Sequence, residues 1–280
     1  PPCQGFSLSN TKTRDMSNPN NRMFEEFLRF VDKIAPTWFV FENVYGLTKF
    51  KNGEENIQNH IENRFRDIGY TVKSKILYAS DFGVPQRRNR LFIVGNRNGI
   101  DFEFPKEFDY SVSVDEAISD LPVLGNGEIQ MKGEYTVPFE QASPYAQLMR
   151  KKSKAPTQNI VSRNKDYVVE RYKYIGQGEN WSSIPDRLME NYADKKRCHS
   201  GIYKRLIGGK PSVVISNYRK SMLIHPHQDR GLSVREAARL QSFPDHFIFE
   251  GPVSYVQQQI GNAVPPLLAK AVMKKILTYK

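Results

Sequence analysis

A cysteine stands third in the chain, within Pro1-Pro2-Cys3-Gln4-Gly5-Phe6-Ser7. Two prolines stiffen the backbone before it, and Gly5 frees the segment that follows. A thiol presented this way at a loop entrance suits a nucleophile, which must be exposed and partly ionised. An isolated cysteine is more often a small buried hydrophobe, so Cys3 alone decides little. A carboxylate, Glu42, follows the apolar run Trp38-Phe39-Val40-Phe41 directly, at the strand edge where open α/β sheets bind ligands. Desolvation there favours the protonated acid, which could donate a proton near neutral pH. The bland alternative is a strand-end carboxylate that caps the next turn. The third segment, Val84-Pro85-Gln86-Arg87-Arg88-Asn89-Arg90, leads into Leu91-Phe92-Ile93-Val94. In an extended chain Gln86, Arg88 and Arg90 project to one face and Arg87 and Asn89 to the other. Three polar groups on an otherwise buried strand need an anionic or hydrogen-bonding partner.

The elements that must position these groups follow from periodicity. Residues 24–34 carry apolar side chains at helical spacing, and Pro36 closes that helix. The run 38–41 is a short continuous apolar strand, as expected where both faces of a parallel sheet are covered. Residues 55–68 read as a second amphipathic helix stopped by Gly69. Residues 70–78 and 90–95 read as two further strands. Helix, strand, helix, strand, strand is the closing half of an open α/β sheet, with the last strand a candidate to run antiparallel. From about residue 105 to 230 prolines, glycines and polar loops dominate, which predicts a separate, smaller, irregular domain. Order returns at 233–240, a helix with Ser233 as N-cap and Glu236 completing a capping box, and a last helix is predicted from Pro266 to Tyr279.

The chain has 280 residues, enough for one large or two ordinary domains with a real core. Lys and Arg number 41 against 30 Asp and Glu, a net charge of +11 that permits a polyanionic partner without requiring one. No apolar run approaches the roughly 18 residues of a membrane span, and no charged-then-apolar leader opens the chain. Two cysteines, Cys3 and Cys198, are too few for a disulfide framework or a thiolate metal site, which suggests a reducing, cytoplasmic setting. Cys198-His199 lacks partners at zinc spacing, so no metal site is expected.

Taken in order, these segments resemble the DNA cytosine-5 methyltransferase family, of the bacterial restriction-modification type. Pro2-Cys3-Gln4 resembles its catalytic loop, Glu42-Asn43-Val44 its acid motif and Gln86-x-Arg88-x-Arg90 its paired-arginine motif. Asn21-Arg22-Met23-Phe24 is similar to its fifth segment, with Met23 where leucine is usual. The stretch Arg230 to Pro244 looks like the helix supporting the recognition domain, and Gln259 to Pro266 like the closing motif that returns to the cofactor pocket. The resemblance implies a Rossmann-like S-adenosylmethionine-dependent methyltransferase sheet whose N-terminal strands are missing here, plus a smaller irregular target-recognition domain. It divides the chain into a catalytic half, 1–104, a recognition domain, 105–230, and a returning C-terminal segment, 231–280.

The same resemblance assigns roles. Cys3 would add to carbon 6 of a flipped-out cytosine, since carbon 5 is otherwise a poor nucleophile and a stacked base is out of reach. Free Cys is only a few per cent thiolate at pH 7, with a pKa of about 8.5, so nearby positive charge should help. Glu42 would protonate ring nitrogen 3, Arg90 would hydrogen-bond the ring carbonyl, and Arg88 would sit near the catalytic loop and the DNA backbone. S-adenosylmethionine would meet Pro2, Met23, Asn262 and Ala263. Double-stranded DNA would meet Gln4, Ser7 and Ser9 on a closing loop, with Lys12 and Arg14, and Asn217, Arg219 and Lys220 in the recognition domain, which includes residues 161–227. Specificity should reside in 176–210. The family's glycine-rich first loop and ribose-binding acid are absent from the sequence, and neither Gly125-x-Gly127 nor Gly176-x-Gly178 follows a convincing strand. Weak cofactor binding by this chain alone is therefore expected, with the missing segment needed in cis or as a separate chain. Two alternatives stay open: a sequence-specific DNA-binding module or split-enzyme subunit, and a transfer-RNA cytosine-5 methyltransferase.

Overall fold

The computed structural model describes residues 23–52, 55–190, 200–216, 218 and 222–279. Cys3, Pro2, Gln4, Ser7, Ser9, Lys12, Arg14, Cys198, His199, Asn217, Arg219 and Lys220 lie outside the described residues. The chain divides into two compact units. One holds residues up to Tyr78, Asn89–Glu107 and Ala271–Lys280, and the other Ala79–Arg88 and Phe108–Lys270.

In the first unit, helix α1 (Met23–Ile34) opens the described chain and leads to strand β1 (Trp38–Val44). A two-residue ribbon, β2 (Lys51–Asn52) and β3 (Glu55–Asn56), precedes α2 (Ile57–Asp67), whose N-cap Asn56 accepts the Gln58 amide. Gly69, at φ +88°, follows the end of α2. Strands β4 (Thr71–Tyr78) and β5 (Asn89–Asn96) complete a three-stranded sheet in the order β1-β5-β4, with β5 antiparallel to both neighbours. Both outer strands thus run the same way and the last strand runs against them.

The core of this unit is aromatic. Phe24, Leu28 and Val31 of α1 and Ile57, Ile61 and Phe65 of α2 pack onto Phe39, Phe41, Leu91 and Ile93. Phe39 and Phe65 rings lie 4.3 Å apart. The continuous apolar run of β1 predicts burial on both faces in a parallel sheet, but burial alternates, with Trp38, Val40, Glu42 and Val44 half-buried opposite Phe39 and Phe41. The reason is its partner: β1 pairs antiparallel with β5, and the helices cover the Phe39 and Phe41 face.

The second unit centres on helix α6 (Val234–Leu240), all seven of whose residues are buried. Its Ser233 and Glu236 form the predicted capping box. Around it lie α3 (Val114–Ile118), α4 (Pro144–Arg150), the antiparallel pair β6 (Ile129–Lys132) and β7 (Thr157–Ile160), and α7 (Val253–Asn262). A second, smaller core gathers Val168 and Tyr172 of α5 (Asp166–Tyr172) with Ile175, Ile184, Met189, Tyr203 and Ile224. The last helix, α8 (Pro266–Leu277), begins in this unit and ends in the first. The compact units cut the chain differently from the functional division at 104 and 230, because 79–88 and everything from 231 to 270 pack with the irregular region.

Charged side chains are structural inside this unit. Arg239, with no exposed side-chain surface, meets Asp120 at 2.8 Å and Asp245 at 2.6 Å. Arg230 grips Glu236 through two bonds of 2.6 and 2.9 Å. Such pairs repay their desolvation only when geometry and hydrogen bonding are complete. Tyr135 completes the Arg239 cluster by donating to Asp245 at 2.7 Å.

Candidate active site

Glu42 lies two residues from the C-terminal end of β1. The β1–β5 register sets Glu42 opposite Phe92 and Val44 opposite Arg90, so Glu42 and Arg90 are diagonal neighbours on one face of the sheet. The Arg90 Nε reaches Glu42 Oε1 at 2.8 Å, with side chains 12% and 26% exposed respectively. That exposure leaves the carboxylate open to a ligand while the guanidinium is mostly desolvated. The strand-end position alone suggested an isolated, desolvated carboxyl; the structure instead gives Glu42 a cation in contact. Asn43 points the other way, is buried, and accepts the Val44 amide at 2.9 Å.

Gln86 and Arg88 belong to the second unit. Gln86 is fully buried and uses its whole amide: Nε2 donates to Leu240 O and to Gln241 Oε1, and Oε1 accepts from the Ile215 amide. Arg88 is buried too and donates to Ile215 O at 2.9 Å and Gly261 O at 2.8 Å. The sequence demanded hydrogen-bonding partners for these polar groups, and backbone groups of the same unit with the Gln241 side chain supply them. Arg88, expected near the catalytic loop and the DNA backbone, donates two N–H groups to backbone carbonyls within its unit. It acts as a tether that fixes the 215 and 261 segments. Arg90 meets Glu42 within the first unit.

The closing motif is built around a close approach. A Cβ at Gly261 would lie 2.1 Å from the Ser216 carbonyl oxygen, so only glycine fits there. Asn262, the last residue of α7, is exposed; Ala263 is half-buried and its amide donates to Gln259 O. Met23, in the first unit, is 36% exposed at the start of α1. Among the described residues no cluster of His, Cys, Asp or Glu could hold a metal ion, and no helix is long and apolar enough to cross a membrane.

Sequence reasoning missed a cluster in the second unit, Asp115, Gln177, Gly208 and His227, whose members are joined by hydrogen bonds. No short-range signal marks it, since Asp115 and His227 stand 112 positions apart.

The model of the C-5 cytosine-specific DNA methylase family matches residues 1–278. The chain belongs to this family. Among curated members it is similar to a type II methyltransferase, M.DdeI, of Desulfomicrobium norvegicum, with 35% identity over 301 aligned positions covering 100% of this chain and 71% of that protein. It is equally similar to the type II methyltransferase M1.HphI of Haemophilus parahaemolyticus, 35% identical over 280 positions, 99% of this chain and 66% of the relative. The chain thus spans about two thirds of the length of these methylases. Among solved structures, a DNA modification methyltransferase encoded within an Escherichia coli prophage shares the fold with a TM-score of 0.73 at 25% identity, over 99% of this chain and 77% of that one. Membership of the methylase family places the chain in an α/β fold of small sheets and helices.

Proposed function

We propose that this chain carries the catalytic acid, the nucleophile and the target-recognition region of a DNA cytosine-5 methyltransferase of a restriction-modification system, transferring a methyl group from S-adenosylmethionine to carbon 5 of a flipped-out cytosine. The observation that carries the reading is the Glu42–Arg90 pair at the C-terminal end of β1, within a family match that covers 1–278. An acid and a carbonyl-binding cation side by side are what a pyrimidine presents work for, at ring nitrogen 3 and the adjacent carbonyl oxygen.

The chemistry runs through this chain's own groups. Cys3 adds as thiolate to carbon 6 while Glu42 delivers a proton to nitrogen 3, which makes carbon 5 electron-rich. Arg90 turns part of its guanidinium from Glu42 to the ring carbonyl, which holds the base and releases the acid for proton transfer. Carbon 5 then takes up the electrophilic methyl group that the cofactor supplies. Water removes the carbon 5 proton, the carbon–sulfur bond breaks, Cys3 leaves as thiolate, and the nitrogen 3 proton returns to Glu42. Arg88 tethers the 215 and 261 segments and is the proposed neighbour of the catalytic loop and the DNA backbone. Gln4, Ser7, Ser9, Asn217, Arg219 and Lys220 are the proposed DNA contacts.

Toward S-adenosylmethionine the chain offers Pro2, Met23, Asn262 and Ala263. Met23 at the start of α1 and Asn262 at the end of α7 are both exposed, so each is open to a ligand. The match to the DNA methylase family and a relative named as a DNA (cytosine-5)-methyltransferase favour this reading over a DNA-binding module or a transfer-RNA enzyme. Bisulfite sequencing of DNA from cells expressing the whole gene that encodes this chain tests it: cytosines protected within one recurring sequence support the reading, and uniform conversion overturns it.

A further inference from the structure

Within the second unit, the two ends of the 176–210 segment are joined by a stem of backbone bonds. Gly178 N donates to Arg205 O, Arg205 N to Glu179 O, and Trp181 N to Ile202 O. Beyond the stem the two ends are joined again, this time by side chains. The Gly208 N–H donates to Gln177 Oε1 at 3.0 Å, Gln177 Nε2 reaches His227 Nδ1 at 3.3 Å, and His227 Nε2 reaches Asp115 Oδ1 at 2.8 Å. Asp115 closes the ring, because its own N–H donates to Gly208 O at 2.9 Å.

The polarity of this ring follows from its bonds. An oxygen of Gln177 must face the Gly208 N–H, so its NH₂ faces His227. Nδ1 of His227 must then accept, which leaves the proton on Nε2, where it meets a carboxylate. Every member has one role, and reversing any one breaks two bonds. A Cβ at position 208 would stand 2.2 Å from the Asp115 carboxylate, so a side chain there would push Asp115 out of the ring.

We infer that His227, oriented by Asp115, is a positioning residue for target recognition: through Gln177 it locks the two ends of the 176–210 segment onto α3. This rests on the reading of that segment as the target-reading part of a DNA methyltransferase. The His227 and Asp115 side chains are 54% and 40% exposed, and exposed pairs add little to stability. The two His227 bonds are exposed and carry little thermodynamic weight, so they matter through orientation, and a misplaced reading loop costs discrimination before it costs folding.

The experiment is methylation of a duplex library in which each position of the target sequence is varied, read by bisulfite sequencing. The proteins compared are the parent, His227→Phe, Gln177→Met and His227→Gln, each with its melting temperature. His227→Phe can neither accept nor donate, and Gln177→Met removes both amide bonds. Each is expected to lose about tenfold in preference for the target over sites differing by one base pair, more than it loses in rate on the target, with little change in melting. His227→Gln offers an oxygen toward Gln177 and an N–H toward Asp115, and is expected to restore the preference. Parent-like discrimination in both His227→Phe and Gln177→Met overturns the inference. So does a loss that His227→Gln fails to restore. A parent that methylates no cytosine overturns the methyltransferase reading itself, and the inference with it, and that result is distinct from either of the others.

Discussion

Glu42 and Arg90 sit diagonally across neighbouring antiparallel strands, and Arg90 Nε touches Glu42 Oε1 at 2.8 Å. The contact follows from register. A shift of β5 by one residue would send Arg90 to the opposite face, where Phe39 and Phe41 are packed under the helices. The acid and the cation are thus held by a sheet and not by a loop, which fixes their spacing before any substrate arrives.

Replacing the acid should separate chemistry from binding. Glu42→Gln keeps size and hydrogen bonding but cannot deliver a proton, so kcat should fall roughly 10²- to 10⁴-fold. DNA affinity, measured by fluorescence anisotropy, should change far less. A variant with near-parent kcat would remove Glu42 from the reaction.

The buried charges of α6 should be worth more to folding than any exposed pair. Arg239→Met removes the shared cation from Asp120 and Asp245, leaving Asp120 its contact with Arg150 and Asp245 the Tyr135 hydroxyl, and breaking a buried pair from one side costs about 3–5 kcal/mol. Urea unfolding measures it. A loss under about 1 kcal/mol would mean that the carboxylates find water or new partners.

Glycine at 261 is required by shape. With a Cβ only 2.1 Å from the Ser216 oxygen, Gly261→Ala must push the 216 segment aside, at about 1–3 kcal/mol in a packed interior. The same displacement strains the Arg88 bonds to Gly261 and Ile215. Thermal melting should report the loss, and an unchanged melting temperature would show that the backbone yields freely.

Stability should fall on acidification in two stages. Burial pushes the His225 imidazole down to about 4, and its Nδ1 accepts the His227 amide. The folded form therefore resists a proton that the unfolded chain binds at about 6.5, and stability present above that pH is lost as it falls toward 4, by roughly 3 kcal/mol. Glu236 follows: burial raises its carboxyl, but Arg230 more than offsets this and holds it near 2. Its stabilisation is complete above the unfolded value of about 4.5 and is lost toward 2. Urea midpoints taken at pH 7.5, 6 and 5 should decline, and His225→Asn should flatten that decline. A decline that the variant leaves intact would assign it to other groups.

Much of the scaffold could be read from the chain because its signals are local. The spacing of Phe24, Leu28 and Val31, the apolar run before Glu42 and the Ser233/Glu236 box each sit within one element, and each element appears within about three residues of its predicted place. Pairing direction was harder, since β1 carries an apolar run that fits either a parallel or an antiparallel neighbour. What stayed hidden is long-range. Gln86 and Arg88 find partners 129 and 173 positions away, and nothing near them in sequence names Ile215 or Gly261. Helix α6 hides its burial because Arg235, Glu236 and Arg239 look like a solvated face, and only their distant partners reveal a core. For the candidate site, the residue types and their order were legible, but the contact between Glu42 and Arg90 depends on the register of two strands that sequence alone does not align.

The central claim, a thiol adding to a cytosine whose nitrogen 3 is protonated by Glu42, is tested most directly by covalent trapping. Duplex DNA bearing 5-fluorocytosine within the methylated sequence should, with S-adenosylmethionine present, form a protein–DNA adduct that survives denaturing electrophoresis, because fluorine at carbon 5 cannot leave as a proton does. The adduct should vanish in Cys3→Ser and form much more slowly in Glu42→Gln. A trapped complex that persists in Cys3→Ser would contradict the account.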